Sequence, residues 1–319
     1  MIVVLGASGY VGQAFVLGLE RQQRDFIPLS RQTCDYGNFR TLAHFLETAR
    51  PEFLINAAGF TGKPNVDACE HAWSETLAGN TLLPLTISQA CSATGTPWGH
   101  VSSGCIYQGA FVQYGAEWRV ATDLNSSAFR QLIAETPNGV RGFRETDPPN
   151  FTFRNPPCSF YSGTKALAEE AVAGDPHAYL WRLRIPFNAS DHPRNYLTKL
   201  QRYAKVYDAV NSLSHLDDFV TACLALWERK SPPGIYNVTN PGFVTTRHVI
   251  AMLQRSFPGR TFQYWENDEE FYRLAAHTPR SNCILDTTKL LSAGIPMRGI
   301  DEALTEALAQ WQSTTKGPL

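Results

Sequence analysis

Met1-Ile-Val-Val-Leu5-Gly6-Ala-Ser-Gly9-Tyr-Val-Gly12 decides how the rest of this chain is read. Its first five residues have the pattern of a short buried strand, and three glycines spaced by two residues follow at once. Beyond them Val11, Phe15, Val16 and Leu19 fall on one side of a helix. Strand, glycine turn and helix N-terminus in that order make a cradle for a pyrophosphate. The glycines let backbone approach the phosphates, and the helix dipole favours the anion. A dinucleotide site is therefore expected at Gly6, Ser8, Gly9, Tyr10, Val11 and Gly12. The next strand, Asp25-Phe-Ile-Pro-Leu29, runs to Ser30-Arg31, where a site for a ribose 2′-OH would show Asp or Glu. Arg31 suits a 2′-phosphate, which favours NADP(H) over NAD(H); a solvated surface charge is its plainer reading.

The rest of the composition fits an α/β enzyme. With 319 residues the chain can hold one dinucleotide domain and a smaller partner. A net charge of −1 suggests no nucleic acid or other polyelectrolyte partner. Residues are 43% hydrophobic, yet no apolar run reaches membrane-spanning length. A strand at the first residues leaves no room for a signal peptide, so a cytoplasmic protein is expected. Seven cysteines without regular spacing fit reduced thiols, and no Cys/His cluster has zinc-ligand spacing, so no metal is expected.

Strands and helices alternate to about residue 185, as a doubly wound parallel sheet of the Rossmann type requires. Clear strands are Phe53-Leu-Ile-Asn-Ala-Ala58, Gly99-His-Val-Ser-Ser103 and Tyr179-Leu-Trp-Arg-Leu-Arg-Ile185. Past Pro186 the pattern breaks up, with helical segments near 246–256 and 300–312 and one more strand at Ile235-Tyr-Asn-Val238. The expected division is a dinucleotide domain over 1–186 with return segments about 206–240, and a substrate domain over 187–205 and 241–319.

Two stretches carry reaction chemistry: Ser103-Gly104-Cys105 after a strand, and Tyr161-Ser162-Gly163-Thr164-Lys165 opening a helix. The second sets a phenol and an ammonium one turn apart on one face. A nearby cation favours phenolate, so Tyr161 can trade a proton with a sugar or alcohol oxygen near neutral pH. Ser103 offers a hydroxyl to a carbonyl. The Cys105 thiol is surplus to simple carbonyl reduction and so the best clue to function; its bland reading is a small buried hydrophobe.

In this order the motifs resemble the extended short-chain dehydrogenase/reductases of the nucleotide-sugar type. The resemblance rests on Gly6-x-x-Gly9-x-x-Gly12, Asn56-Ala-Ala-Gly59, Ser103, Tyr161 and Lys165, and it covers essentially the whole chain. Within that family, Asn56-Ala-Ala-Gly-Phe-Thr-Gly-Lys-Pro-Asn-Val-Asp-Ala-Cys-Glu70 is similar to the nucleotide-rhamnose synthases of plants and giant viruses, which are 3,5-epimerase/4-reductases. Ser103-Gly-Cys-Ile106, Ser159-Phe-Tyr-Ser-Gly-Thr-Lys165, Pro193-Arg-Asn-Tyr-Leu-Thr-Lys-Leu200 and Pro279-Arg-Ser-Asn282 extend the match. The bacterial dTDP-4-dehydrorhamnose reductases are more distant.

The resemblance implies a nucleoside-diphospho-4-keto-6-deoxy-hexose substrate, epimerised at carbons 3 and 5 and reduced at carbon 4 with NADPH. Its catalytic residues would be Tyr161 as general acid, Lys165 as the group lowering the phenol's pKa and anchoring the nicotinamide ribose, and Ser103 on the carbonyl. Cys105 and Lys199 would move the carbon-bound protons, with the site's lysines making the thiol a readier base. A surface helix lysine is the ordinary reading of Lys199. By the same resemblance Asp35, Tyr36, Ala57, Ala58, Gly59, Asn80 and Pro186 join the cofactor site. Thr61, Gly104, Asn188, Arg194, Asn195 and Arg280 join Ser103 and Cys105 on the substrate side, where guanidinium forks suit diphosphate oxygens.

The stretch from Gln108 to about Asn150 is longer than the relatives' loop and carries Phe111, Tyr114, Trp118, Phe129 and Phe143. It can be a lid over the sugar, an oligomer contact or a packed elaboration. Single-activity readings stay open: a nucleotide-sugar 4-reductase, or a 4-epimerase recycling NAD. A non-catalytic dinucleotide-binding regulator has no need of Ser103, Tyr161 and Lys165 together. Family members often form homodimers through the helix that carries Tyr and Lys.

Overall fold

The computed structural model describes residues 1–311. Residues 312–319, the end of the expected substrate domain and of the expected 300–312 helix, lie outside the described residues. Six parallel strands form the central sheet, in the spatial order Gly234–Asn237, Ala178–Leu183, Trp98–Ser103, Phe53–Asn56, Ile2–Leu5, Phe26–Leu29. Ile2 pairs with Phe26 on one side and Phe53 on the other. The chain thus reverses its direction of winding at the Ile2–Leu5 strand, and the crevice this opens at the carboxyl edge is where such sheets bind ligands.

Apolar runs, rather than alternation, mark the central strands because both faces are covered. Ile2–Leu5 and Phe53–Asn56 are buried throughout. On one face the Tyr10–Arg21 and Leu216–Glu228 helices pack Phe15, Phe219 and Val220 against Trp181 and Ile55. On the other, the Phe39–Ala49 and Leu83–Thr94 helices bury Leu42, Leu46, Ile87 and Cys91 against Val3, Leu5 and Trp98.

A second core gathers Phe187, Leu197 and Leu213 with Val249, Leu253 and Leu304. It is built by the helices Tyr196–Arg202, Thr246–Ser256 and Ile300–Ala309. The helix expected over 246–256 has those bounds. The last ends three residues earlier than its periodicity suggests, at Ala309. Among the described residues no helix is long and apolar enough to cross a membrane.

The 108–150 stretch is a folded elaboration stapled to the second half of the chain. Glu117–Ala121, Ala110–Tyr114 and Val140–Arg141 form a small antiparallel sheet, and Ser127–Glu135 is a helix capped by Ser126. Bridges join Gly109 to Cys283 and Phe143 to Leu285. Asn125 donates to the Tyr207 hydroxyl at 2.7 Å, and Gln108 and Asn150 clamp one another through two 2.9 Å backbone bonds. Phe129 and Phe143 are buried inside, Phe111 is partly so, and Tyr114 and Trp118 face outward.

Candidate active site

The glycine turn lies at the carboxyl edge of the Ile2–Leu5 strand. Gly6 has φ +73°, and a Cβ there would sit 2.5 Å from the Ala58 nitrogen. At Gly12 a Cβ would fall 2.0 Å from the Gly6 carbonyl oxygen. Backbone from two strand ends and a helix therefore meets where no side chain fits. Gly9 caps the Tyr10–Arg21 helix without any side-chain bond, which leaves first-turn N–H groups for an anion. This cradle fits the diphosphate of a dinucleotide. We expect Gly12→Ala to abolish NADPH binding measured by fluorescence titration, since the added methyl would push the turn out of register.

Arg31 is exposed at the end of the second strand, its guanidinium 5.4 Å from the centre of the buried Tyr36 ring. Asp35 accepts from the Gly37 N–H at 3.2 Å. After the third strand, the buried Asn56 side chain receives the Ala58 N–H at 3.0 Å and meets His100 Nδ1 at 3.0 Å. Ala57 donates to the Leu5 carbonyl, so the Ala57-Ala58-Gly59 loop is held against the glycine turn.

Asn80 is fully buried, on a π-helical turn, Ala78–Leu82, that links Trp73–Leu77 to Leu83–Thr94. Its amide exchanges two 2.8 Å bonds with the Phe60 backbone and donates to Thr164 Oγ1 at 3.3 Å. These bonds occupy it. It holds the Gly59–Phe60 loop, where a Cβ on Gly59 would lie 3.2 Å from Asn80 Oδ1 and 3.7 Å from Lys165 Nζ.

Ser103 ends its strand and caps the Gly104–Ile106 turn, its hydroxyl accepting the Cys105 N–H at 3.2 Å. Facing it, the Phe160–Ala171 helix starts at Ser159, whose hydroxyl accepts the Ser162 N–H at 3.1 Å. Glu70 pins the same end by accepting the Phe160 N–H at 2.8 Å. Tyr161, Lys165 and Glu169 then share one face.

Here the structure corrects two electrostatic expectations. Burial pushes the Tyr161 phenol up, the neighbouring Cys105 and Cys69 add to this, and the Ser103 hydroxyl beside it opposes the shift. Lys165 is not among the main influences on the phenol. Its own burial lowers it to about 8, with Cys105 and Glu169 working the other way, and its ammonium donates to the Val101 carbonyl at 3.2 Å. Cys105 is likewise raised by burial; the Ser103 and Ser162 hydroxyls and the Arg184 and Lys165 cations only partly offset this. Of the site's lysines, Lys165 is the one among the main influences on it. In the free protein the proton therefore rests on Tyr161 and Cys105.

Lys165 also carries a stability prediction. Unfolded, it titrates near 10.5, and folded near 8. Between those values the unfolded chain binds more protons, so this group's contribution to stability rises with pH across that window. Below about pH 8 its full cost is present. Lys165→Met is expected to stabilise the fold at pH 7 by on the order of 3 kcal/mol. The gain should shrink as pH rises from 8 toward 10.5, followed by urea unfolding.

On the far side of the Gly59–Glu70 loop lies a cationic group. Arg194 donates to the Gly62 carbonyl at 2.6 Å, and Arg280 pairs with Asp67 at 2.6 Å while its Nη1 has no partner. Lys199 is pushed down by burial, then by Arg194 and Arg280. Tyr10 ties this segment to the glycine turn: its hydroxyl donates to Asn188 Oδ1 at 3.1 Å and its ring stacks on His192 at 4.4 Å. Pro186 pairs with Ser214, and Thr61 is exposed beside Gly62.

Asn195 departs from expectation. It is fully buried, caps the Tyr196–Arg202 helix, and spends its amide on Asn188 and the Ser190 carbonyl. It has no group left for substrate and instead shapes the turn that presents Arg194. Arg184 and His192 were not singled out from sequence. Arg184 sat unmarked inside a strand pattern. The one available signal for His192 was its position in Asp191-His192-Pro193-Arg194, two residues before a candidate ligand.

A glycine cradle at the winding reversal, with Ser103 at a nearby strand end and Tyr161 and Lys165 on the helix facing it, defines a dinucleotide-dependent oxidoreductase of the extended short-chain dehydrogenase/reductase class. The chain belongs to the family described as RmlD substrate binding domain, which matches residues 1–313. It is 34% identical over 261 residues to a bifunctional dTDP-4-dehydrorhamnose 3,5-epimerase/dTDP-4-dehydrorhamnose reductase of Arabidopsis thaliana, covering 81% of this chain and 77% of that protein. It is 30% identical over 277 residues to a trifunctional UDP-glucose 4,6-dehydratase/3,5-epimerase/reductase of the same plant; this covers 85% of the chain but 37% of the larger protein. Among solved structures, the L780 UDP-rhamnose synthase of Acanthamoeba polyphaga mimivirus superposes with a TM-score of 0.81 at 22% identity, over 97% of this chain and 98% of the other.

Proposed function

We propose that this protein epimerises carbons 3 and 5 of a nucleoside-diphospho-4-keto-6-deoxy-hexose and reduces its 4-keto group with NADPH. The observation that carries this reading is a buried thiol, Cys105, beside Ser103 and within electrostatic reach of Tyr161 and Lys165. The names of the plant relatives support it. Arg31, exposed and in no ion pair among the described residues, supports NADPH over NADH.

The ketone makes the protons on carbons 3 and 5 acidic. Lys199, its pKa pushed down by burial and two guanidinium neighbours, is neutral, and so able to accept such a proton, in a larger fraction of molecules than a surface lysine. Cys105, kept as a thiol, returns one from the other face. NADPH, when bound, supplies the hydride for carbon 4. Ser103 holds the carbonyl oxygen and Tyr161 gives it a proton. Arg194 and Arg280 are assigned to the diphosphate or the sugar hydroxyls. The second core, with the segment 187–205, is assigned as the substrate domain.

A plain 4-reductase is the second reading. The upward shift of Cys105 favours it, since a thiol of raised pKa is a weaker donor of the proton it would have to return to carbon. Proton NMR of UDP- and dTDP-4-keto-6-deoxyglucose with the protein in deuterated water separates the two. Deuterium at carbons 3 and 5 before NADPH is added, then an L-configured product after, is the expected result. NADPH consumption without exchange would leave the plain reductase standing.

A further inference from the structure

Arg184 is a buried cation without a counterion. It follows the Ala178–Leu183 strand, whose Leu183 lies opposite Ser103. The residue is 5% exposed, and among the described residues no carboxylate comes within 4.0 Å of it. Arg182, two residues earlier, shows the ordinary solution: it forks onto Glu169 at 3.1 and 2.7 Å. Arg184 has only neutral acceptors. Its Nη2 donates to Asn211 Oδ1 at 2.5 Å and to the Ser281 carbonyl, and its Nε is buried with no partner. The next residue, Ile185, is β-branched and holds φ +37°, a strained arrangement that marks a position the surroundings enforce.

The guanidinium sits behind the turn that carries Cys105. Asn211 Oδ1 also accepts the Cys283 N–H at 3.0 Å, and the Cys283 thiol donates to the Gly104 carbonyl at 3.2 Å. Ser281 Oγ donates to the Tyr107 carbonyl at 2.5 Å, at the other end of the same turn. The main groups that act on or are coupled to Cys105 are two cations, Arg184 and Lys165; three neutral acids, Tyr161, Cys158 and Cys283; and the hydroxyls of Ser103 and Ser162, with no carboxylate among these main influences. The two cations differ in kind, because an arginine keeps its charge throughout the working range and Lys165 gives its own up near pH 8.

We propose that Arg184 is a positioning residue for proton transfer at Cys105: its fixed, uncompensated charge sets the thiol–thiolate balance and so the pH range of carbon-proton exchange. This rests on the reading that Cys105 moves those protons. Leaving a charge unpaired in the interior is costly to the fold, and a thiolate formed beside it during turnover is the partner the ground state lacks. The step is a proton transfer only: Cys105 cycles between thiol and thiolate, the proton passes to or from a substrate carbon, and no oxidant is needed.

Iodoacetamide alkylation of Cys105 in the full chain, followed by mass spectrometry of its peptide across pH, reads the thiolate without any substrate. Arg184→Gln keeps an amide for the Ser281 carbonyl and removes the charge. We expect Cys105 to react about tenfold more slowly at pH 8, with its profile displaced upward by about one pH unit. Arg184→Lys should retain a profile near that of the wild type. The glutamine variant should melt no lower than the parent, because it removes an unpaired buried charge. A glutamine profile that coincides with the wild type would overturn the proposal. So would a lysine profile displaced as far as the glutamine one, or failure of both variants to fold, which would make Arg184 a packing residue. Deuterium exchange with the wild-type protein keeps the two claims apart. If it shows none at carbons 3 and 5, the epimerase reading fails, while the alkylation profiles still decide the electrostatic one.

Discussion

Tyr161→Phe should lower the rate of 4-keto reduction by about 10²- to 10⁴-fold, the usual weight of a general acid. The phenol is partly buried between the Ser103 turn and the Phe160–Ala171 helix, and burial raises its pKa well above the ordinary tyrosine value. It therefore carries its proton throughout the physiological range and can deliver it to an oxygen that gains negative charge on reduction. Phenylalanine keeps the ring's packing against the Cys105, Ile106 and Phe143 cluster and deletes only the hydroxyl. The fold should thus survive, NADPH should still bind, and deuterium should still enter carbons 3 and 5 of the ketone. Stopped-time NMR beside an NADPH absorbance assay reads both halves. If exchange disappears together with reduction, Tyr161 serves both steps and the division of labour proposed above is wrong.

Cys105→Ala should have the complementary effect. Exchange at carbons 3 and 5 should fall by about 10²- to 10⁴-fold, while a ketone already of L configuration should still be reduced at a rate near that of the wild type. Cys105 is 7% exposed, with Ser103, Ser162, Lys165 and Arg184 acting on its thiol, and a methyl group in its place leaves only a small void. Alanine also tests the packing reading directly. Were Cys105 a core residue alone, the variant would be slightly less stable and chemically unchanged. Supplying both the unepimerised and the epimerised ketone to one preparation separates these outcomes, because a general loss of folded protein would depress both rates equally.

Much of this site was legible along the chain because its parts are local. Gly6 to Gly12 specify a turn and a helix start within seven residues, and the parallel sheet follows from apolar runs spaced by helices. Tyr161 and Lys165 meet because helical geometry brings i and i+4 together. The resemblance carried further, to Cys105, Lys199 and Arg280, residues separated by more than 170 positions.

What could not be read were quantities that depend on solvent exclusion and on partners distant in sequence. The lysine one turn from Tyr161 suggested a lowered phenol, yet helix proximity fixes spacing and says nothing of burial. Closure of the 108–150 elaboration and of the Asn282–Leu285 segment over the turn removes water, and desolvation then outweighs the neighbouring cations for Tyr161 and Cys105 alike. Asn195 looked like a ligand in a polar motif and proved to be a buried helix cap. Arg184 looked like one more residue of a strand and proved to be an unpaired charge. Sequence alone determined the dinucleotide fold and the placing of Tyr161 and Lys165 on one helix face, since both are written in short-range spacing. Only the tertiary structure decided where each proton rests and which polar groups remain free, because desolvation and hydrogen-bond saturation belong to the packed whole.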